Sequence, residues 1–181
     1  LNVVHCDPRS QVSELVRTLG KFGHQRFAIL KGPDANMVSR QRLELVVEEV
    51  EKISGSTIHQ AEGDFTYNSG ASGLQKILSE TSDRPTAIIC INDMMAMGCM
   101  DEARNVVGLD VPDDISIISF DGIGMSQFQS YELTTIRQPI GRMCEAAVAM
   151  IAARAELPEQ SNEKRVFEGA IIDGGSIAAA P

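Results

Sequence analysis

The polar residues of this sequence that can recognise or react sit just behind short strand-like runs. Asp7 follows run 3–6, and Asp34, Asn36, Ser39 and Arg40 follow run 27–30. Asp64 and Phe65 follow 57–60, Asn92 and Asp93 follow 87–91, Asp121 follows 115–120, and Arg137 and Gln138 follow 133–136. Each carboxylate can accept from a hydroxyl, each amide or guanidinium can donate to one, and Phe65 offers a flat apolar face. Such a set suits a neutral ligand rich in hydroxyls, a sugar above all, better than a phosphate.

Other chemistries lack their residues. The three histidines (His5, His24, His59) and four cysteines have no metal-ligand spacing, so no metal is expected. The sequence has no GxGxxG behind a strand, no phosphate-cradling GxxxxGKS/T and no GxSxG nucleophile turn. No cofactor and no enzyme activity are therefore expected. His5 and Cys6 are neighbours on a strand, so their side chains point to opposite faces and do not act on each other. A phosphoacceptor site would need a lysine at a late strand end, and the sequence has none there.

The elements that must position these groups alternate. Val12, Leu15, Val16, Leu19 and Phe22 recur at helical spacing up to Gly23, and Leu43, Val46, Val47, Val50 and Ile53 do so up to Gly55. A short helix carries Leu74, Ile77 and Leu78, and a helix from Asp93 buries Ala96, Cys99, Met100, Ala103 and Val106. A last helix, opened by Pro139, puts Ile140, Met143, Cys144, Ala147 and Ile151 on one face. Run 87–91 is apolar throughout, as a strand covered on both sides should be. A polar connection over 156–163 leads to a tail, 165–172, that reads as one or two strands split by Gly169. The alternation predicts an α/β fold, a doubly wound, mainly parallel sheet with helices on both faces. Ligands of such sheets lie beyond the carboxyl ends of the strands, where the polar set falls.

Some of these residues have structural uses as well. Asp93 reads as a helix N-cap, and Asp7 as either a ligand contact or the cap of the helix behind Pro8. Asp113 and Asp114 read as a solvated turn, His24 as a packing histidine, and Met94, Met95, Met97 and Met100 as core.

Composition limits the classes further. The chain has 181 residues, 43% of them hydrophobic and 23% charged, the balance of a folded globular protein. Its longest apolar runs fall far short of the ~20 residues of a membrane span, and no basic-then-apolar opening reads as a secretion leader. Cys6, Cys90, Cys99 and Cys144 form no CxxC pair and read as free thiols of a reducing cytoplasm. With 25 acidic against 16 basic residues, a net charge of −9, the chain has no footprint for a phosphate backbone, so it is not expected to bind DNA by itself.

Three runs carry a family signature: Cys90-Ile-Asn-Asp-Met-Met-Ala-Met-Gly98, Val111-Pro-Asp-Asp-Ile-Ser-Ile-Ile-Ser-Phe-Asp121 and Leu133-Thr-Thr-Ile-Arg-Gln-Pro139. In this order, and with Asp7, Gly23-His24 and Gly32-Pro33 through Arg40, the chain resembles the lactose-repressor (LacI/GalR-type) family of bacterial transcription regulators. The resemblance implies a periplasmic-binding-protein-like effector domain of two lobes joined by three crossovers, with the ligand between them. It implies that 1–7 ends the N-terminal lobe and crosses over and that 8–132 is the C-terminal effector-binding lobe. It further implies that 133–157 is the return crossover strand and helix of the N-terminal lobe and that 158–181 holds the C-terminal tail strands.

The resemblance also implies ligand contacts at Asp7, Arg40, Phe65, Asn92, Asp121 and Gln138. The implied function is the sensing of a small-molecule effector, a sugar or related polar metabolite, for a DNA-binding transcriptional regulator. Its operator DNA would be met through a helix-turn-helix absent from this chain, and the parent would be a cytoplasmic homodimer without membrane contact. A periplasmic sugar-binding component of a transporter shares the architecture and is the alternative. Two positions depart from the family: Gly122 stands where an acid often follows Asp121, and Asp173 where a basic residue is common.

Overall fold

Residues 27–30 and 87–90 are apolar and fully enclosed, and they become two adjacent inner strands of a six-stranded sheet. The computed structural model describes residues 1–157, 159 and 161–181. The chain runs β1 (Val3–Asp7), α1 (Arg9–Lys21), β2 (Arg26–Lys31), α2 (Met37–Glu51), β3 (Thr57–Glu62), α3 (Tyr67–Glu80), β4 (Ala87–Cys90) and α4 (Asp93–Glu102). It continues through β5 (Ser116–Asp121), β6 (Thr134–Arg137), α5 (Ile140–Glu156), β7 (Lys164–Glu168) and β8 (Ala170–Ile172). The large sheet has the order β3-β2-β4-β5-β6-β8 and is parallel except at its β6–β8 edge.

The chain steps outward from β2 to β3 and then back across to β4. Right-handed crossovers therefore place α2 on one face of the sheet and α3 and α4 on the other, which makes the fold doubly wound as expected. The packing agrees: a Cβ on Gly20 of α1 would touch Ile53 just past α2, while one on Gly73 of α3 would overlap Leu30 of β2. The strand order reverses between β2 and β4, and that is the switch point at which such sheets take their ligands.

A second, two-stranded sheet pairs β1 with β7 in parallel, and α5 packs against β1. β6 pairs with β5 in the large sheet, so segment 133–157 is divided at Gln138–Pro139, and only α5 joins β1 and β7. The tail 158–181 is divided likewise. Gly169 lies close under the Arg137 carbonyl, where a side chain would not fit, and this lets the chain pass from β7 in one sheet to β8 in the other. The polar connection expected over 156–163 includes Pro158 and Gln160, which lie outside the described residues. Beyond β8 the chain closes the amino edge of the large sheet. Ser176 exchanges hydrogen bonds with Ile117, the Ala178 carbonyl accepts from His24, and the Ala180 N–H donates to the Phe22 carbonyl.

Two helical expectations need correction. On α5, Ile140, Cys144 and Ile151 are exposed, and the inward face is Met143, Ala146, Ala147 and Met150. The helix is apolar nearly all round, so spacing alone admits more than one phase. Val106 is exposed because residues Ala103–Val107 form a wider π-turn that rotates it away from the core before Gly108 ends it at φ +79°. Among the described residues no helix is long and apolar enough to cross a membrane.

Candidate functional site

The parallel strands bring the polar groups behind β2 to β6 to one edge, and a connected network forms there. Arg42, on the second turn of α2, donates from Nη2 to Asp121 Oδ1 at 2.7 Å and from Nη1 to the Ile91 carbonyl at 2.7 Å. Its guanidinium also lies over the Phe120 ring, 4.9 Å from the centroid. Gln138 donates from Nε2 to the same Asp121 oxygen at 2.8 Å. Asp121 thus joins α2, β5 and the exit from β6, and among the described residues no donor occupies its other carboxylate oxygen. The side chain of Arg42 is 12% exposed and that of Asp121 29%, so the pair sits partly out of water.

Arg40 does not reach this network. It is exposed, and its Nη1 donates to the Asp34 carbonyl at 2.6 Å. The arginine that turns inward is two residues further on, and the sequence reading did not single it out. A signal existed: Ser39, Val46 and Val50 are the buried face of α2, and Arg42 falls on that stripe, where a charge needs a partner.

Asn92 has its amide engaged on both sides. Oδ1 caps α4 by accepting the Met95 N–H at 3.0 Å, and Nδ2 donates to the Phe65 carbonyl at 2.9 Å. The cap of α4 is therefore Asn92 and not Asp93, as the sequence had suggested. Asp93 is fully buried and accepts from Ser119, from Thr135 Oγ1 at 2.6 Å and from the Ile123 N–H at 2.8 Å. Burial raises its carboxyl above the ordinary range against the pull of those donors.

Phe65 sits at φ +69°, a conformation that side chains seldom adopt, and its ring covers Gly32, where a Cβ would overlap it. The turn before it is fixed by Asp64, which accepts from the Thr66 N–H at 3.0 Å and the Thr66 hydroxyl at 2.6 Å. Those bonds hold the Asp64 carboxyl down at about 2. Behind it, the Tyr67 and Tyr131 hydroxyls both donate to Asp101 Oδ2, at 2.7 and 2.8 Å, and the shared carboxylate pushes Tyr67 up to about 12.

Asp7 ends β1 and accepts the Arg9 N–H at 3.2 Å, so it supports the start of α1 while staying partly exposed. Burial raises the thiol of its neighbour Cys6, and the nearby charge of Arg42 opposes that shift. A Cβ on Gly169 would touch the Arg137 carbonyl and lie near Cys6 Sγ, which puts the end of β1 beside the exit from β6. Among the described residues no group of histidine, cysteine, aspartate and glutamate could hold a metal ion.

A doubly wound lobe whose polar groups meet at the switch point is the architecture of a small-molecule-binding domain. Residues 16–177 match the family of periplasmic binding protein-like domains. The HTH-type transcriptional repressor CytR of Escherichia coli (strain K12) is 32% identical over 183 residues, covering 100% of this chain and 53% of that protein. The HTH-type transcriptional repressor PurR of Aliivibrio fischeri (strain MJ11) is 44% identical over 108 residues, covering 59% of this chain and 31% of that protein. In fold, the crystal structure of a LacI family transcriptional regulator from Enterococcus faecium with bound ribose matches with a TM-score of 0.87 at 23% identity, over 99% of this chain and 66% of that one. The chain belongs to the periplasmic binding protein-like domain family, and the relatives named are LacI-type regulators. It spans about half the length of the curated relatives it matches end to end.

Proposed function

We propose that this chain is the effector-sensing part of a LacI-type DNA-binding transcriptional regulator, and that the carboxyl edge of its large sheet takes a sugar or related polar metabolite. The observation that carries this reading is the meeting of Arg42, Asp121 and Gln138 at the switch point, beside a pre-set Phe65 ring. A ligand hydroxyl would donate to the free oxygen of Asp121, and the guanidinium and amide that already hold that carboxylate would keep its charge in place. Phe65 would cover the C–H face of a sugar ring. Asp7 and Arg40 would stand at the rim, and Asn92 would act through the Phe65 backbone that it holds.

No step of this function needs a cofactor or bond-breaking chemistry. A ligand that binds one arrangement of two lobes better than another shifts the balance between them, and that shift is the signal. The acidic charge of the chain suits this division of labour, in which operator DNA is met by a helix-turn-helix outside it. In this reading the regulator is a cytoplasmic homodimer, residues 8–137 with 170–181 belong to the effector-binding lobe, and β1, β7 and α5 belong to the other. That the relatives are repressors favours this reading over a transporter component.

Ribose is the sugar held by a similar fold, and D-ribose is the first probe. Calorimetric and thermal-shift titrations of the chain with D-ribose, D-galactose and D-glucose should reveal saturable binding that raises the melting temperature. Asp121→Ala should weaken that binding by ~1–3 kcal/mol while the protein stays folded. Absence of saturable binding to every neutral sugar tried, or equal affinity in Asp121→Ala, would reject the site.

A further inference from the structure

Asp93 is a fully buried carboxylate that the ligand set does not use. It opens α4, yet its hydrogen bonds all run to the far side of the site. One oxygen accepts from the hydroxyls of Ser119 on β5 and Thr135 on β6, and the other from the backbone N–H of Ile123 at 2.8 Å. No cation among the described residues is paired with it, so its charge is met by those three donors and by the amino end of α4.

Ile123 closes a strained turn. Asp121 stands at φ +113° and Gly122 at φ +65°, and a Cβ on Gly122 would overlap Arg137. A side-chain-bearing residue keeps such a backbone only where its surroundings over-determine it. On the far side of the turn the Asp93–Ile123 bond supplies that constraint, while Arg42 and Gln138 hold the carboxylate in front.

We propose that Asp93 is a positioning residue for the effector site: by gripping the Ile123 N–H it holds the Asp121–Gly122 turn and so aims the Asp121 carboxylate at Arg42, Gln138 and the ligand. The inference rests on the reading of Asp121 as a ligand contact. It gives a physical reason for a buried carboxylate without a paired cation at this place, since both of its oxygens accept and together they take two hydroxyl protons and an N–H.

The test begins with nuclear magnetic resonance on the unaltered chain. A scalar coupling across the hydrogen bond from the Ile123 amide to the Asp93 carboxyl carbon is expected, and its absence overturns the proposal. Two variants then remove the bond from opposite ends. Asp93→Leu replaces the carboxylate by an apolar side chain of similar size that cannot accept, and Ile123→Pro deletes the N–H at a residue whose φ of −67° already suits proline. In whichever of them folds, the backbone carbon shifts of Asp121 should leave their positive-φ values, and affinity for D-ribose should fall at least tenfold. Thr135→Val, which removes only a hydroxyl donor, should lower stability yet leave the Asp121 shifts and D-ribose affinity near those of the parent. Unchanged Asp121 shifts in the first two variants, or equal changes in Thr135→Val, overturn the proposal. If the unaltered chain does not bind D-ribose, the reading of the site fails on that arm, and the resonance data alone still decide the role of Asp93.

Discussion

Arg42 donates to Asp121 across the switch point of the sheet, 79 positions along the chain, and the same guanidinium reaches the carbonyl that ends the β4 run at Ile91. One side chain therefore ties α2, β4 and β5 together at the edge where the ligand is proposed to sit. Pairs of this kind matter less for their attraction than for what remains when one member is removed.

Arg42→Met keeps much of the side-chain volume and removes both donors. The Ile91 carbonyl and the Asp121 oxygen would be left short of partners in a partly dry place, so the stability read by urea unfolding should fall by ~1–3 kcal/mol. A loss below about 0.5 kcal/mol would mean that water screens the pair as it does a surface one.

The inward arginine shows where sequence reading stops. The strands were legible because run 87–91 is apolar on both faces, as a covered parallel strand should be, and the other runs alternate with helical spacing. That Asp121, Asn92 and Gln138 share an edge followed from that order alone. Arg40 against Arg42 did not, since two arginines two residues apart differ only in helix phase, and the phase is set by packing. Asn92 and Asp93 posed the same problem at a single step: either can cap a helix, and only the tertiary donors on β5 and β6 claim one of them. On α5 the apolar residues run nearly all round, so the choice between the expected face of Ile140, Met143, Cys144, Ala147 and Ile151 and the observed face of Met143, Ala146, Ala147 and Met150 lay with the packing against β1.

Gly32 has its own consequence. A Cβ there would meet the side chain of Phe65 and not backbone, so Gly32→Ala is accommodated by moving the ring. The fold should survive, with a stability loss within the ~1–3 kcal/mol typical of overpacking. D-ribose affinity should drop by a larger factor than in Arg40→Ala, whose guanidinium bonds the exposed Asp34 carbonyl. Equal effects in the two variants would remove Phe65 from the site.

His24 makes stability depend on pH. It is buried, with Nδ1 on Thr86 Oγ1 at 2.9 Å and Nε2 on the Ala178 carbonyl at 3.0 Å, and burial lowers its pKa below the ordinary 6.5. As pH falls through the unfolded-state value, the unfolded chain takes up a proton that the native state refuses. The contribution is therefore complete above pH 6.5 and is lost as pH drops toward the lowered native value. Urea unfolding at pH 7 and pH 5.5 should show a larger loss for the parent than for His24→Gln, which cannot titrate. Parallel losses in the two proteins would rule out His24 as the source.

The four cysteines should separate by reactivity, because the thiolate is the attacking species and both burial and pKa limit it. Cys144 lies exposed on the outer face of α5. Cys6 is half-buried, and burial raises its thiol. Cys90 and Cys99 are buried together, and the hydrogen bond between them, with burial, drives the Cys90 thiol well up. With an aromatic disulfide reagent at neutral pH, one thiol should react at the rate of a free cysteine and a second slowly. The last two should stay silent until denaturant is added. Cys144→Ser should abolish the fast phase and leave the others unchanged. A fast phase that persists in Cys144→Ser, or reaction of more than two thiols in the native chain, would contradict the burial of β4 against α4 on which the edge of the site depends.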